Sequence, residues 1–191
     1  MRINTRYFIA YKFFNNLFAG LSLGAIFIIY AELAPNIFSI GGFVLSIVSL
    51  GIALLYSKII NIKAFFAVTV FIELLALFTV IYYLFRQSNA AIIIYICYQI
   101  MFVFGSYSLR TETIFLQPIR TLSALDASKQ IGYIAGLAAS SLFYSLFDVS
   151  KQTQIYYMHF ALLVVQVIAI YCVFCAFGKE RKLFAELPDR H

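Results

Sequence analysis

The sequence predicts an all-α membrane protein with six transmembrane helices, and three observations carry that prediction. Of 191 residues, 63% are apolar and only 12% charged, and the mean hydropathy is +0.93. That composition belongs to a chain whose solvent is mostly lipid. Apolar runs near the length that crosses the hydrocarbon core as a helix recur six times. Pro35, Pro118 and Pro188 all fall outside those runs, where helices stop.

The spans lie at about 13–33, 40–56, 64–85, 90–109, 131–147 and 155–177, so that 1–191 reads as a single membrane domain. The first follows a basic stretch, Met1 to Arg6. It runs too long for a signal peptide and carries Asn15 and Asn16, so it is read as a membrane helix. The second and fifth are the shortest and present stripes of small residues, Gly42, Ser46, Ser49 and Ala53 in one, Gly132, Gly136 and Ser140 in the other. Such stripes let backbones approach closely in lipid. The third holds one carboxylate, Glu73, in an unbroken apolar run. The fourth places Gln99, Ser106 and Arg110 on one stripe, at offsets of 0, 7 and 11. It ends either near Leu109 or, past Arg110 and Glu112, at Gln117-Pro118. Residues 110–130 read as the one long loop, with Ile119, Leu122 and Leu125 on a face that lies along the membrane surface. In the sixth, His159 and Gln166 are seven apart and share a face; the tail from Gly178 to His191 is polar and leaves the membrane.

An even number of spans puts both termini on one side. On that side lie Arg2, Arg6, Lys12, Lys58, Lys63, Arg110, Arg120, Lys129, Lys179, Arg181, Lys182 and Arg190, against Arg86 and Lys151 opposite. Twelve against two predicts cytoplasmic termini by the positive-inside rule. The charge of +6 is thus a topology signal rather than a nucleic-acid surface, because the basic residues sit between apolar runs. Tyrosines near the span ends supply the aromatic belt in the absence of Trp.

Counting to the middle of each span gives depth. Glu73, Gln99, Gln166, Ser140, Ser22, Ser46 and Ser49 fall at about one level and should find partners among themselves. Glu73 has two readings: a carboxylate exchanging a proton, or a protonated structural Glu bonded to Gln99 or a nearby backbone group. His159 is either an interfacial histidine beside Tyr156 and Tyr157 or a proton relay. Arg110 with Glu112 forms either a cytoplasmic-edge network or an anion site. Asn15 is either a ligand or an interhelical hydrogen-bonding group.

Enzymatic readings find little. Gly20-Leu-Ser22-Leu-Gly24 matches G-x-S-x-G within a span, with no strand-to-helix elbow. Cys97, Cys172 and Cys175 lie in apolar runs, so Cys172-x-x-Cys175 reads as packing rather than redox or zinc chemistry. No metal spacing or phosphate loop is present, and neither an enzyme nor a cofactor is expected.

The second and fifth spans begin with related words, Ile40-Gly41-Gly42-Phe43 and Ile131-Gly132-Tyr133, as two inverted three-helix repeats would arrange them. Over nearly its whole length the chain resembles one six-helix half of a major facilitator superfamily transporter. Gly51 through Lys63 resembles a degraded form of that family's cytoplasmic motif. Ser57 stands where an acid is usual, Lys58 and Lys63 keep basic character, and the second Gly is missing. Arg110 resembles the arginine late in the family's fourth helix, and Asp126 through Gly136 its approach to the fifth.

The resemblance implies a half-bundle in a bacterial inner membrane that moves a small solute by rocking against a second half, either another copy or a separate chain. It makes Asn15, Ser22, Ser46, Gln99, Ser106, Arg110 and Ser140 candidates for the solute path. Glu73, Gln166 and His159 become buried polar or proton-coupling candidates, and Ser57, Lys58, Lys63 and Glu112 gate candidates. By the family's helix arrangement Glu73 stands behind the path and supports Gln99. Two other readings share the sequence: the substrate-capture subunit of an energy-coupling vitamin importer, and a non-transporting accessory protein that packs through Gly132/Gly136 and Gly20/Gly24.

Overall fold

A computed structural model describes residues 3–86, 90–117 and 119–177. Pro118, Pro188, the basic residues Arg2, Lys179, Arg181, Lys182 and Arg190, and the polar tail lie outside the described residues. Among those described, the regular elements are all helical: α1 Thr5–Tyr30, α2 Pro35–Leu54, α3 Tyr56–Ile59, α4 Ile62–Phe85, α5 Ala90–Val103, α6 Gly105–Phe115, α7 Ile119–Leu146 and α8 Lys151–Ala176. In hydrocarbon a helix satisfies its backbone internally, which makes it the default for such runs.

Helix starts follow local chemistry. Asn4 caps α1, accepting from Arg6 N–H at 3.2 Å, and Asn61 caps α4 through Ala64 N–H at 2.9 Å. Ser150 caps α8 through Thr153 N–H, and Pro35 opens α2 where its missing N–H costs nothing. The helix ladder is interrupted once in the fourth span, at Phe104, so α5 and α6 form a single stretch, Ala90–Phe115, with a break at Phe104-Gly105.

Five helical stretches are long and apolar enough to cross a membrane: α1, α2, α4, α5 with α6, and α8. These features define a helical multi-pass membrane protein. The expected fifth span is not among them. It forms part of α7, which runs unbroken from Ile119 and includes Arg120, Asp126 and Lys129 as well as the small and hydroxyl residues of 132–145. The expected surface loop of 110–130 is therefore helix on both sides of a short joint. The fourth span does run past Leu109, ending at Phe115 with Leu116 as its C-cap.

α1 is central, lying between α7 and α8. It runs parallel to α7: Ser128 Oγ donates to Ile9 C=O at 3.0 Å, Gly132 lies on the backbone of Phe13, and Gly136 on that of Leu17. A Cβ on Gly20 would sit 2.9 Å from Leu137 N and 3.0 Å from Gly136 Cα. Glycine is required here because backbone meets backbone, the device that brings helices together where lipid removes any hydrophobic drive. At the other edge α5 holds α2 through Gly41, packed on the Tyr95 ring. α2 has no buried residue. The core lies between α1, α4, α6 and α8, where Phe8, Phe65 and Phe177 pack ring on ring.

Candidate functional site

Two polar centres meet on α1, where Lys12 of one falls between Tyr11 and Asn15 of the other. The inner one is built around Glu73, 1% exposed. Tyr11 Oη donates to Glu73 Oε1 at 2.7 Å and Asn15 Nδ2 to the same oxygen at 2.8 Å. Gln166 Nε2 donates both to Oε2 at 2.7 Å and to the Glu73 backbone carbonyl at 2.8 Å. The spacing explains the convergence: Tyr11 and Asn15 are four apart on one face of α1. α4 and α8 then meet across the Glu73–Gln166 pair. Three donor groups sit on the two oxygens, and a protonated Glu73 would donate in turn to Tyr11 Oη, which accepts as well as donates. The expected Gln99 partnership is absent. Gln99 faces an apolar groove of about 450 Å³ between α2 and α5, where its Oε1 is buried without a partner.

The outer centre is ionic. Glu112 on α6, itself buried, takes Lys12 Nζ on Oε1 at 2.5 Å and Lys129 Nζ on Oε2 at 2.7 Å. Lys129 also reaches the exposed Asp126 at 3.2 Å. Lys12 is itself buried, and its ammonium lies 5.6 Å from the Phe8 ring centroid and 5.0 Å from that of Tyr11. The network thus ties α1, α6 and α7 together. The expected Arg110–Glu112 pairing does not form, because two residues along a helix turn about 200° and Arg110 points outward, exposed.

Both centres border one cavity of about 260 Å³. Tyr11, Lys12, Asn15 and Asn16 line it from α1, Gly105, Ser108 and Glu112 from α6, and Lys129 from α7. The α5–α6 break opens directly onto it, since Met101 and Gly105 belong to its wall. Its face on the fourth span is 101, 105, 108 and 112, not the expected 99, 106 and 110. Ser106 and Arg110 are exposed on the opposite side. Polar side chains marked the wrong stripe, and Met101 and Gly105 carry no polar signal.

The remaining candidates are scattered. Ser22 is buried and bonds Ala19 C=O at 3.1 Å within its own helix. Ser46 does the same with Gly42 C=O at 2.9 Å on exposed α2, and Ser140 is buried on α7. His159 is buried, stacked on Tyr83 at 4.0 Å between centroids, and its Nδ1 lies 2.8 Å from Ile155 C=O. That carbonyl can only accept, so Nδ1 carries a proton. Ser57, Lys58 and Lys63 are exposed around α3, and none takes part in an ion pair among the described residues. The segment is held instead by Tyr107 Oη, which donates to Ile59 C=O at 3.0 Å. Tyr11, Lys12, Asn16, Ser108 and Lys129 were missed as site residues. Lys12 and Lys129 were read as topology signals, and only a helix continuing well before 131 would have paired Lys129 with Glu112.

No family model, no curated relative and no solved structure matches the chain.

Proposed function

We propose that the chain is a six-span half-bundle of a solute transporter of the major facilitator type, working against a second half, with the cavity beside Lys12, Glu112 and Lys129 as its solute site. The observation that carries this reading is a polar cavity that borders the buried Glu73 centre and has a helix break in its wall. Water-lined irregular backbone of that kind is tolerated in a membrane only where it faces a cavity or protein.

Helix pairing supports the repeat. With α5 and α6 counted together as the fourth span, the main packed pairs are first–fifth, second–fourth, first–sixth, third–fourth and third–sixth. Exchanging the first three spans for the last three leaves that set unchanged, as an inverted repeat requires. α7 then crosses as the fifth span, alongside and parallel to α1, and both termini lie in the cytoplasm. In this arrangement α2 and α7 flank the second half. Their faces carry exposed apolar side chains such as Phe43 at 69% and Leu142 at 61%.

The test is cross-linking in native membranes with Phe43→Cys and Leu142→Cys, together with the solubilised mass. A half-transporter gives a cross-linked species of about twice the chain's mass, or one with a second polypeptide. A stable, uncross-linked monomer favours the accessory-protein reading. A large complex with an ATPase module favours the vitamin-importer subunit.

A further inference from the structure

We infer that the cavity binds an oxyanion, a phosphate group or carboxylate, seated between Lys12 and Lys129. As a transported solute this rests on the half-bundle reading; as a binding site it stands on the geometry alone.

The argument is an inventory of donors. An ammonium has three N–H donors and no acceptor. Lys12 spends one donor, on Glu112, while buried. Lys129 spends two, on Glu112 and Asp126. Three ammonium donors therefore remain at the cavity wall. Asn16 Nδ2 adds one more proton beyond its bond to Lys12 C=O, and Ser108 adds a hydroxyl. The N-terminus of α6 also borders the cavity at Gly105, and no side chain caps it.

Acceptors are scarce by comparison. The Glu112 oxygens already hold one ammonium each, and Glu73 is screened from the cavity by the donors of Tyr11 and Asn15. Lys12 and Lys129 are already balanced by Glu112 and Asp126, so the attraction for an anion rests on the unspent N–H donors rather than on net charge. Asp126 lies on the water side, its side chain 69% exposed, where solvent screens it. A ligand with several anionic oxygens would meet several of these donors at once. The volume, about 260 Å³, is roughly that of nine water molecules in the liquid. It admits a small oxyanion or a single lipid headgroup.

The test is calorimetry on the purified chain in detergent, with inorganic phosphate and acetate as separate probes at ionic strength matched by chloride. Binding of either is expected. It should weaken about tenfold in Lys129→Gln, the effect of one charge-assisted hydrogen bond. It should vanish in Gly105→Leu, whose Cβ enters open space and whose side chain fills the cavity without touching the ion pairs. It should be unchanged in Arg110→Gln, an exposed charge on the opposite face. Neither probe binding beyond chloride, full binding in Gly105→Leu, or an equal loss in Arg110→Gln would each overturn the site. Native mass spectrometry separates the two sources. Anionic lipid that copurifies with the wild type and is released by phosphate identifies a headgroup, and its absence with binding intact identifies a soluble anion. Anion binding by a lone monomer keeps this site while the half-transporter reading fails; cross-linked halves that bind no anion do the reverse.

Discussion

Exchanging a single oxygen for nitrogen at Glu73 tests the inner polar centre. In Glu73→Gln the amide has two orientations. With nitrogen at the Oε2 position it faces Gln166 Nε2 at 2.7 Å; at Oε1 it faces Tyr11 Oη at 2.7 Å and Asn15 Nδ2 at 2.8 Å. Gln166 is not free to turn over, because the same nitrogen donates to the Glu73 carbonyl at 2.8 Å. The better orientation leaves one donor opposed to another in a site 1% exposed. A buried, unsatisfied donor costs about 1–3 kcal/mol, so a loss of about 2 kcal/mol is expected, near a thirtyfold shift in the folded-to-unfolded ratio. The double variant Glu73→Gln/Gln166→Glu should not recover that loss, because a carboxylate at 166 opposes the Glu73 backbone carbonyl that Gln166 Nε2 satisfies. Reversible unfolding in mixed micelles reads both variants. If Glu73→Gln were as stable as the wild type, the group would be a neutral acid, for which Gln is a near-isostere, and the donor argument would fail.

Other substitutions probe the remaining contacts. Gly136→Leu places a side chain into the backbone of Leu17 and Gly20, so α1 and α7 must separate; a loss above about 3 kcal/mol or failure to purify as a single species is expected, while Gly42→Ala, with open space at its Cβ, should be neutral within about 0.5 kcal/mol. Lys12→Met leaves buried Glu112 with Lys129 alone and should cost about 3 kcal/mol in the same unfolding assay, largely recovered by adding Glu112→Met. Arg110→Gln should change stability by less than about 0.5 kcal/mol, since the side chain is exposed. His159→Phe keeps the stack on Tyr83 and loses one hydrogen bond, so its cost should stay near 1 kcal/mol.

Apolar run length made the helices readable, since each backbone in lipid must satisfy itself. Of the two small-residue stripes, that of α7 was legible for the same kind of reason, whereas the α2 stripe packs on nothing, its Gly42 facing open space. Gly132 and Gly136 sit four apart with no polar alternative, and they do meet α1. Glu73 stood out as a lone acid, but its partners did not. Tyr11 lies in the first two turns of α1, a part of the chain that the span estimate of 13–33 left out of the membrane. Helices tilt and extend past their apolar cores, so depth counted from span centres misaligned Gln99 with Glu73. The ionic centre was hidden because Lys12 and Lys129 belong to helices whose polar ends had been read as flanks and loop. Pairing between elements distant in the chain is tertiary information that one sequence does not carry.

In the proposed half-bundle the cavity opens to water on the cytoplasmic side and is closed from the opposite side by the Glu73 centre. The direct measurement is labelling by a membrane-impermeant maleimide of Ser108→Cys and, separately, of buried Thr69→Cys, in a background with Cys97, Cys172 and Cys175 replaced by Ala. The account predicts that Ser108→Cys reacts in inside-out vesicles and not in right-side-out cells, while Thr69→Cys reacts in neither. Ser108→Cys unreactive from both sides, or labelled only from outside, would contradict it.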